Sequence, residues 1–143
     1  MKWKVAWIGK TREPAIQSLT EEYLKRISRY TEIEGVTLKD EAALRKLCDR
    51  PRHMLILLDR RGKQLSSEEL AGYIGLHQAG NPQPLLFAIG PADGFSEDTR
   101  RGATLVLSLG KMTLAHELAR VVLLEQLYRA LTILKGHPYH LGH

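Results

Sequence analysis

Leu85-Leu86-Phe87-Ala88-Ile89-Gly90-Pro91-Ala92-Asp93-Gly94 is a short apolar run that empties into a turn built of glycine, proline and aspartate. Its apolarity is continuous rather than alternating. Both faces of such a segment are covered, as in the strands of a parallel sheet. The same construction occurs on either side of it. His53-Met54-Leu55-Ile56-Leu57-Leu58-Asp59 leads into Arg60-Arg61-Gly62, and Leu107-Ser108-Leu109 leads into Gly110-Lys111-Met112-Thr113-Leu114. Between these runs the pattern is helical. Ser66 and Glu69 form a capping-box pair ahead of a helix at 67–79, and the Gly80-Asn81-Pro82 turn precedes the strand at 84–89. A short helix starts near Ser96, with Glu97 and Asp98 at its positive end. The last helix spans about 113–135, where Gly136 is placed to end it and Pro138 prevents continuation.

Toward the N-terminus the alternation persists. Trp3, Val5 and Trp7 alternate with Lys2, Lys4 and Ala6, which reads as a strand over 2–8 rather than a signal peptide. Pro14 opens a helix over 14–30, with Ile16, Leu19, Tyr23, Leu24 and Ile27 at helical spacing. Residues 33–39 read as a second strand, and a short helix at 40–49 is closed by Pro51. Strand and helix alternate from end to end, so residues 1–143 are expected to form one α/β domain, a mostly parallel sheet flanked by helices. In the last helix Leu114, Leu118, Val121, Val122, Leu123, Leu124, Leu127, Leu131 and Leu134 exceed one narrow stripe. That girth needs cover on more than one side, and a second copy of the chain is the expected cover.

Composition narrows the class. A net charge of +5 and a pI near 9.5 favour a polyanionic partner. The cations cluster at Lys25-Arg26 with Arg29, at Arg50 and Arg52, at Arg60-Arg61 with Lys63, and at Arg100-Arg101. Cys48 is the single cysteine, which rules out an internal disulfide and a cysteine-based zinc site and suits a reducing compartment. No stretch approaches the length of a membrane span.

The three strand exits are where chemistry is expected. In open α/β sheets, ligands sit beyond the C-terminal ends of the strands. Leu58, Ile89, Leu109, Met112 and Leu114 can enclose a flat apolar group such as adenine, with backbone groups of 109–114 on its edge. The glycines do not form a dinucleotide fingerprint, and there is no P-loop. His137, His140 and His143 are spaced by threes, yet no carboxylate or cysteine lies beside them, so no metal is expected there. Histidines with Tyr139 at a chain end suit stacking on bases and contact with phosphates. His116 reads as a structural residue, and no Ser-His-Asp order is present.

Together, Phe87-Ala88-Ile89-Gly90 through Gly94, Leu107-Ser108-Leu109 with Met112-Thr113-Leu114 and His116, Glu125-Gln126-Leu127-Tyr128-Arg129-Ala130 and His137-Pro138-Tyr139-His140 resemble the RlmH (YbeA) family of SPOUT methyltransferases. The likeness covers nearly the whole chain. It implies a homodimer with a C-terminal trefoil knot that uses S-adenosylmethionine to methylate N3 of a pseudouridine in large-subunit ribosomal RNA, in the cytoplasm and without a metal. It further implies that Leu58, Gly90, Leu109, Gly110, Lys111, Met112, Thr113 and Leu114 hold the cofactor, and that the tail from His137 to His140 reaches RNA and the partner subunit's site. Asp93, His137 and His140 are the candidates for helping the N3 proton leave. Arg129, Tyr139, His140, Arg60 and Arg61 are the candidate RNA contacts. Two positions depart from the family pattern: Pro91 follows Gly90 where members often carry a second glycine, and Leu141 stands where some carry arginine. A small domain with a short tail has little surface for reading sequence, so the assembled ribosome is the expected substrate. The competing expectations are a related enzyme acting on transfer RNA, a non-catalytic RNA-binding protein of the same fold, and a nucleotide-binding metabolic enzyme.

Overall fold

A computed structural model describes residues 2–49, 51–80, 83–91 and 93–141. Arg50, Asn81, Pro82, Ala92 and His143 of the sequence readings lie outside the described residues. The elements in chain order are β1 (Lys2–Ile8), α1 (Pro14–Ser28), β2 (Glu32–Leu38), α2 (Glu41–Asp49), β3 (Met54–Gln64), α3 (Ser67–Gly80), β4 (Leu85–Ile89), α4 (Glu97–Arg101), β5 (Leu105–Ser108) and α5 (His116–Leu134), followed by a single 3-10 turn at Pro138–His140. The strands form one sheet in the order β2-β1-β4-β3-β5, parallel at every pairing. This is the α/β architecture expected from the continuous apolar runs.

The period-2 alternation of the strands builds two cores. Trp3, Val5 and Trp7 of β1 and Leu85, Phe87 and Ile89 of β4 enter the larger one, against Ile27 of α1, Ile74 of α3 and Leu124 and Leu127 of α5. Ala6, Leu55, Leu57, Leu86 and Ala88 enter the other, against Leu44 of α2 and Phe95. All five residues of β4 are buried, as its place inside the sheet demands. Cys48 packs beside the second core, and burial raises its thiol pKa. Among the described residues no helix is long and apolar enough to cross a membrane.

Local signals behave as their chemistry requires. Ser66 N donates to Glu69 Oε1 at 2.8 Å and Glu69 N donates to Ser66 Oγ at 3.0 Å, the reciprocal bonds of a capping box at the start of α3. Ser96 caps α4 by accepting from the Thr99 N–H.

Two features differ from the sequence expectation. The apolar girth of α5 is covered mostly within the chain. Val121, Leu123, Leu124, Leu127, Ala130 and Leu131 are buried where the helix packs on the sheet side and against α1 and α3, while Leu118 and Leu134 stay exposed. The helix pattern therefore carries no argument for a second copy. In addition, β3 does not stop at Asp59 but continues to Gln64. Leu107 is in register with both Leu58 and Lys63, so residues 59–62 leave the ladder as a bulge and rejoin it. Gly62 permits the rejoining: a Cβ there would lie 2.4 Å from the Val106 carbonyl oxygen.

Candidate functional site

The C-terminal ends of β3, β4 and β5 open into one cavity of about 380 Å³, the size of a small-ligand site. Leu58, Gly90 and Leu109, one from each exit, all line it, together with Gly110, Met112, Thr113 and Leu114. Lys111 belongs to the same loop without lining the cavity. The walls follow from local chemistry. Gly90 has no side chain because the Phe95 ring fills that space: a Cβ would meet it at 2.8 Å. Gly110 has a φ of 139°, and nothing lies within 4 Å of where its Cβ would be, so bare backbone is open to close approach there. Residues 109–115 are irregular, and Ala115 gives α5 no side-chain cap, which leaves the first-turn N–H groups of that helix at the cavity edge for a ligand's acceptors.

The bulge of β3 supplies a second wall. It turns Asp59 inward, where its side chain is 1% exposed. Asp59 Oδ1 accepts from Arg61 N at 2.9 Å and from Arg61 Nε at 3.0 Å, and Oδ2 accepts from Arg61 Nη2 at 2.9 Å and from Phe95 N at 3.3 Å. Arg61 Nη2 also donates to the Phe95 carbonyl at 3.1 Å. These bonds staple the loop after β4 to β3. Gly94 takes φ 86° in that loop and donates from its N–H to the Pro91 carbonyl at 2.8 Å, so Pro91 sits within a closed turn. The hydrogen bonds from Arg61 hold the Asp59 carboxyl down at about 2, so it is ionised at neutral pH. Arg61's fork thus faces inward to Asp59. Arg60 and Asp93 line the cavity with exposed side chains.

His116, the first residue of α5, closes the cavity from below. Its ring lies beside the Gly90 backbone, and burial together with Arg120 lowers its pKa, which keeps the imidazole neutral. Arg120 is fully buried one turn on, with its guanidinium 4.4 Å from the Trp7 ring centre and a hydrogen bond to Thr11 Oγ1. Glu117 Oε1 accepts from the N–H groups of Arg12 and Glu13 at 2.9 and 3.2 Å. The start of α5, and with it one side of the cavity, is therefore anchored to the β1–α1 loop.

The tail leaves the other end of α5 and folds back along the helix as far as Glu125. Nineteen helical residues separate the two ends, roughly 28 Å at 1.5 Å per residue. Gly136, at φ 69°, ends the helix as expected. Tyr139 Oη donates to Glu125 Oε2 at 2.8 Å, and its ring meets Tyr128 edge-on at 4.7 Å. Burial and the Glu125 carboxylate both raise the Tyr139 pKa, so the phenol stays protonated. Arg129 lies over the Tyr139 ring at 5.0 Å. His137 Nδ1 accepts from Tyr139 N at 3.1 Å.

The candidate residues thus fall into two groups. Leu58, Arg60, Arg61, Gly90, Asp93, Leu109, Gly110, Met112, Thr113 and Leu114 gather at the cavity, whereas Arg129, His137, Tyr139 and His140 gather along the C-terminal half of α5. Among the described residues, no three histidine, cysteine or acidic side chains are grouped as a cation site. Asp59, Ser108 and Ala119 line the cavity without having been singled out in the sequence. The only trace of Asp59's part is an acid two residues before an arginine at a strand end.

A parallel sheet with an apolar, glycine-walled hollow at three adjacent strand ends defines an α/β protein that takes a nucleoside-sized ligand. Comparison with known proteins narrows that class. Residues 1–140 match the family described as "Predicted SPOUT methyltransferase". The chain is 62% identical over 146 residues to Ribosomal RNA large subunit methyltransferase H of Koribacter versatilis, with 100% of each chain covered. It is 45% identical over 152 residues to the protein of the same name from Geotalea uraniireducens, covering 98% of this chain and 99% of that one. Among solved structures it is similar to the SpoU methyltransferase AviRb from Streptomyces viridochromogenes in complex with AdoMet, with TM-score 0.56 and 14% identity, over 94% of this chain and 58% of that one. It is also similar to a probable methylase family protein from Haemophilus influenzae Rd KW20, with TM-score 0.60 and 9% identity, over 96% and 69% of the two chains. At these identities the structural likeness is one of fold. The chain belongs to the SPOUT methyltransferase family.

Proposed function

We propose that this chain methylates N3 of a pseudouridine in large-subunit ribosomal RNA, using S-adenosylmethionine, and does so on the assembled ribosomal particle. The observation that carries this reading is the single cavity in which Leu58, Gly90 and Leu109 meet. The names of the relatives that match over the full chain support ribosomal RNA as the substrate. A net charge of +5 suits a phosphate-rich partner.

Leu58, Ile89, Leu109, Met112 and Leu114 are placed to enclose the adenine, and the backbone of Gly110 to Leu114 to meet its edge and the ribose. Lys111 adds a cation on the same loop. S-adenosylmethionine, when bound, supplies a methyl group already activated on a sulfonium, so no metal is called for. The chain's own task is to hold the acceptor nitrogen in line with that methyl, and alignment supplies much of the rate. The N3 proton must also leave. Asp93, an exposed carboxylate lining the cavity, is one group for that step, with His137 and His140 of the tail as the others. Arg60, Arg61, Arg129, Tyr139 and His140 are assigned to RNA contact.

The separation along α5 supports a homodimer. Tyr139 and His140 lie against Glu125 and Arg129, about 14 to 20 Å along α5 from His116 at the cavity, a separation that suits service of the cavity on a second copy. Membership of the SPOUT family supports a trefoil knot in the C-terminal segment. A ribosomal substrate supports a cytoplasmic location.

Mass analysis of ribosomal RNA from a deletion strain tests the reading, alongside calorimetry of the protein with S-adenosylmethionine. Loss of one methyl on a large-subunit pseudouridine and a clear heat of binding are expected. An unmodified spectrum relative to wild type, or a folded protein without heat of binding, would overturn it.

A further inference from the structure

Glu125 is where α5 and the tail meet. Four donors converge on its carboxylate: Tyr139 Oη and Arg129 Nη2 reach Oε2 at 2.8 and 3.0 Å, while Gln126 Nε2 and Arg129 Nε reach Oε1 at 3.1 and 3.4 Å. The side chains of Glu125 and Arg129 are only 21% and 25% exposed, so water screens the pair less than it would a surface ion pair. Gln126 is itself held, since its Oε1 accepts from Ser67 Oγ of α3.

Arg129 carries this order onward. Its Nη1 lies 2.9 Å from His140 Nδ1. A guanidinium has donors only, so Nδ1 is the accepting nitrogen and the ring proton sits on Nε2. That Nε2 faces Glu68 Oε1 at 3.4 Å. His140 thus has a defined tautomer and a defined ring plane, both set through Arg129 by a carboxylate that His140 does not touch.

We propose that Glu125 is the positioning residue of the tail: by fixing Arg129 and the Tyr139 hydroxyl it sets the orientation and tautomer of His140 before RNA arrives. The inference rests on the reading of the tail as an RNA contact. It adds to that reading a residue about two turns beyond the cavity-lining part of α5, which does not line the cavity itself.

The test uses the full chain with 15N-labelled histidine, the His140 signals being assigned with His140→Ala. Wild type is expected to show His140 as the Nε2–H tautomer. In Glu125→Ala the other tautomer gains population. With large ribosomal subunits lacking the methyl mark as substrate, KM for the particle rises about tenfold, the size of one lost charge-assisted hydrogen bond, while affinity for S-adenosylmethionine is unchanged. Glu125→Gln keeps an acceptor for Tyr139 but loses the ion pair, and falls between the two. Tyr139→Phe removes only the hydroxyl and shifts KM in the same direction, which keeps the test open if Glu125→Ala folds poorly. A wild-type His140 spectrum in Glu125→Ala overturns the proposal, as does a changed spectrum with an unchanged KM. If His140→Ala methylates normally, the tail's assignment to RNA fails; the histidine spectrum then decides on its own whether Glu125 sets the ring.

Discussion

Asp59 and Arg61, two residues apart on the β3 bulge, form a closed fork: both carboxylate oxygens accept from the guanidinium, at 3.0 and 2.9 Å, and one accepts from the Arg61 N–H as well. The fork also grips Phe95 through its N–H and its carbonyl, which joins the exits of β3 and β4 into one cavity wall. The ion pair therefore shapes a ligand site without needing to touch the ligand.

That wall should depend on pH in one direction. Asp59 titrates at about 2 instead of its ordinary 3.8. A depressed carboxyl stabilises the fold above 3.8, and the contribution is lost as pH falls through about 2. Asp59→Asn is expected to cost about 2 kcal/mol at neutral pH. It should also flatten the part of the acid-induced loss that lies between those two values. Urea midpoints of wild type and variant across that range measure both effects, and calorimetry should show weaker binding of S-adenosylmethionine by the variant.

Two glycines give opposite signs. Gly62→Ala drives a Cβ to within 2.4 Å of the Val106 carbonyl oxygen, and backbone inside a sheet cannot swing aside as a side chain could, so a loss of about 3 kcal/mol or more is expected. Gly72 lies on an exposed face of α3 with nothing within 4 Å of a new Cβ. Gly72→Ala is expected to gain roughly 0.5–1 kcal/mol. Denaturant midpoints of the two variants, measured side by side, check both.

Gly90→Ala is expected to act on the ligand as well as on stability. Its Cβ meets the buried Phe95 ring at 2.8 Å, so the ring or the Gly90 backbone that lines the cavity must shift. Affinity for S-adenosylmethionine should fall by about tenfold or more, as expected for a site displaced by a few tenths of an ångström to an ångström. Titration calorimetry decides it; unchanged affinity would place the ligand elsewhere.

Association with the ribosomal particle should weaken steeply with salt. A +5 chain that meets phosphates displaces their counterions. Raising salt from about 50 to about 200 mM should lower particle affinity at least on the order of tenfold, with binding of S-adenosylmethionine changed little. Filter binding and calorimetry at several salt concentrations separate the two.

The fold and the cavity were legible for one reason. Both depend on backbone, and backbone leaves strong marks: the unbroken apolar run of β4 reports burial on two faces, and Gly90 and Gly110 report close approach. What escaped notice depends on long-range partners. Arg120 reads as an ordinary surface cation at one position of a helix, yet it is buried against Trp7, more than a hundred residues away in sequence. The β3 bulge has no local signature because its cause is the register with β5. The girth of α5 suggested a second copy, since nothing in a single helix tells that α1 and α3 already flank it.

The proposed homodimer, in which each tail serves its partner's cavity, has a consequence for mixtures. One copy with a damaged cavity and an intact tail, and another with an intact cavity and no tail, are each inert when paired with themselves. Combined, they should regain part of the lost turnover, because a hybrid pair contains one complete working centre assembled from two defective chains.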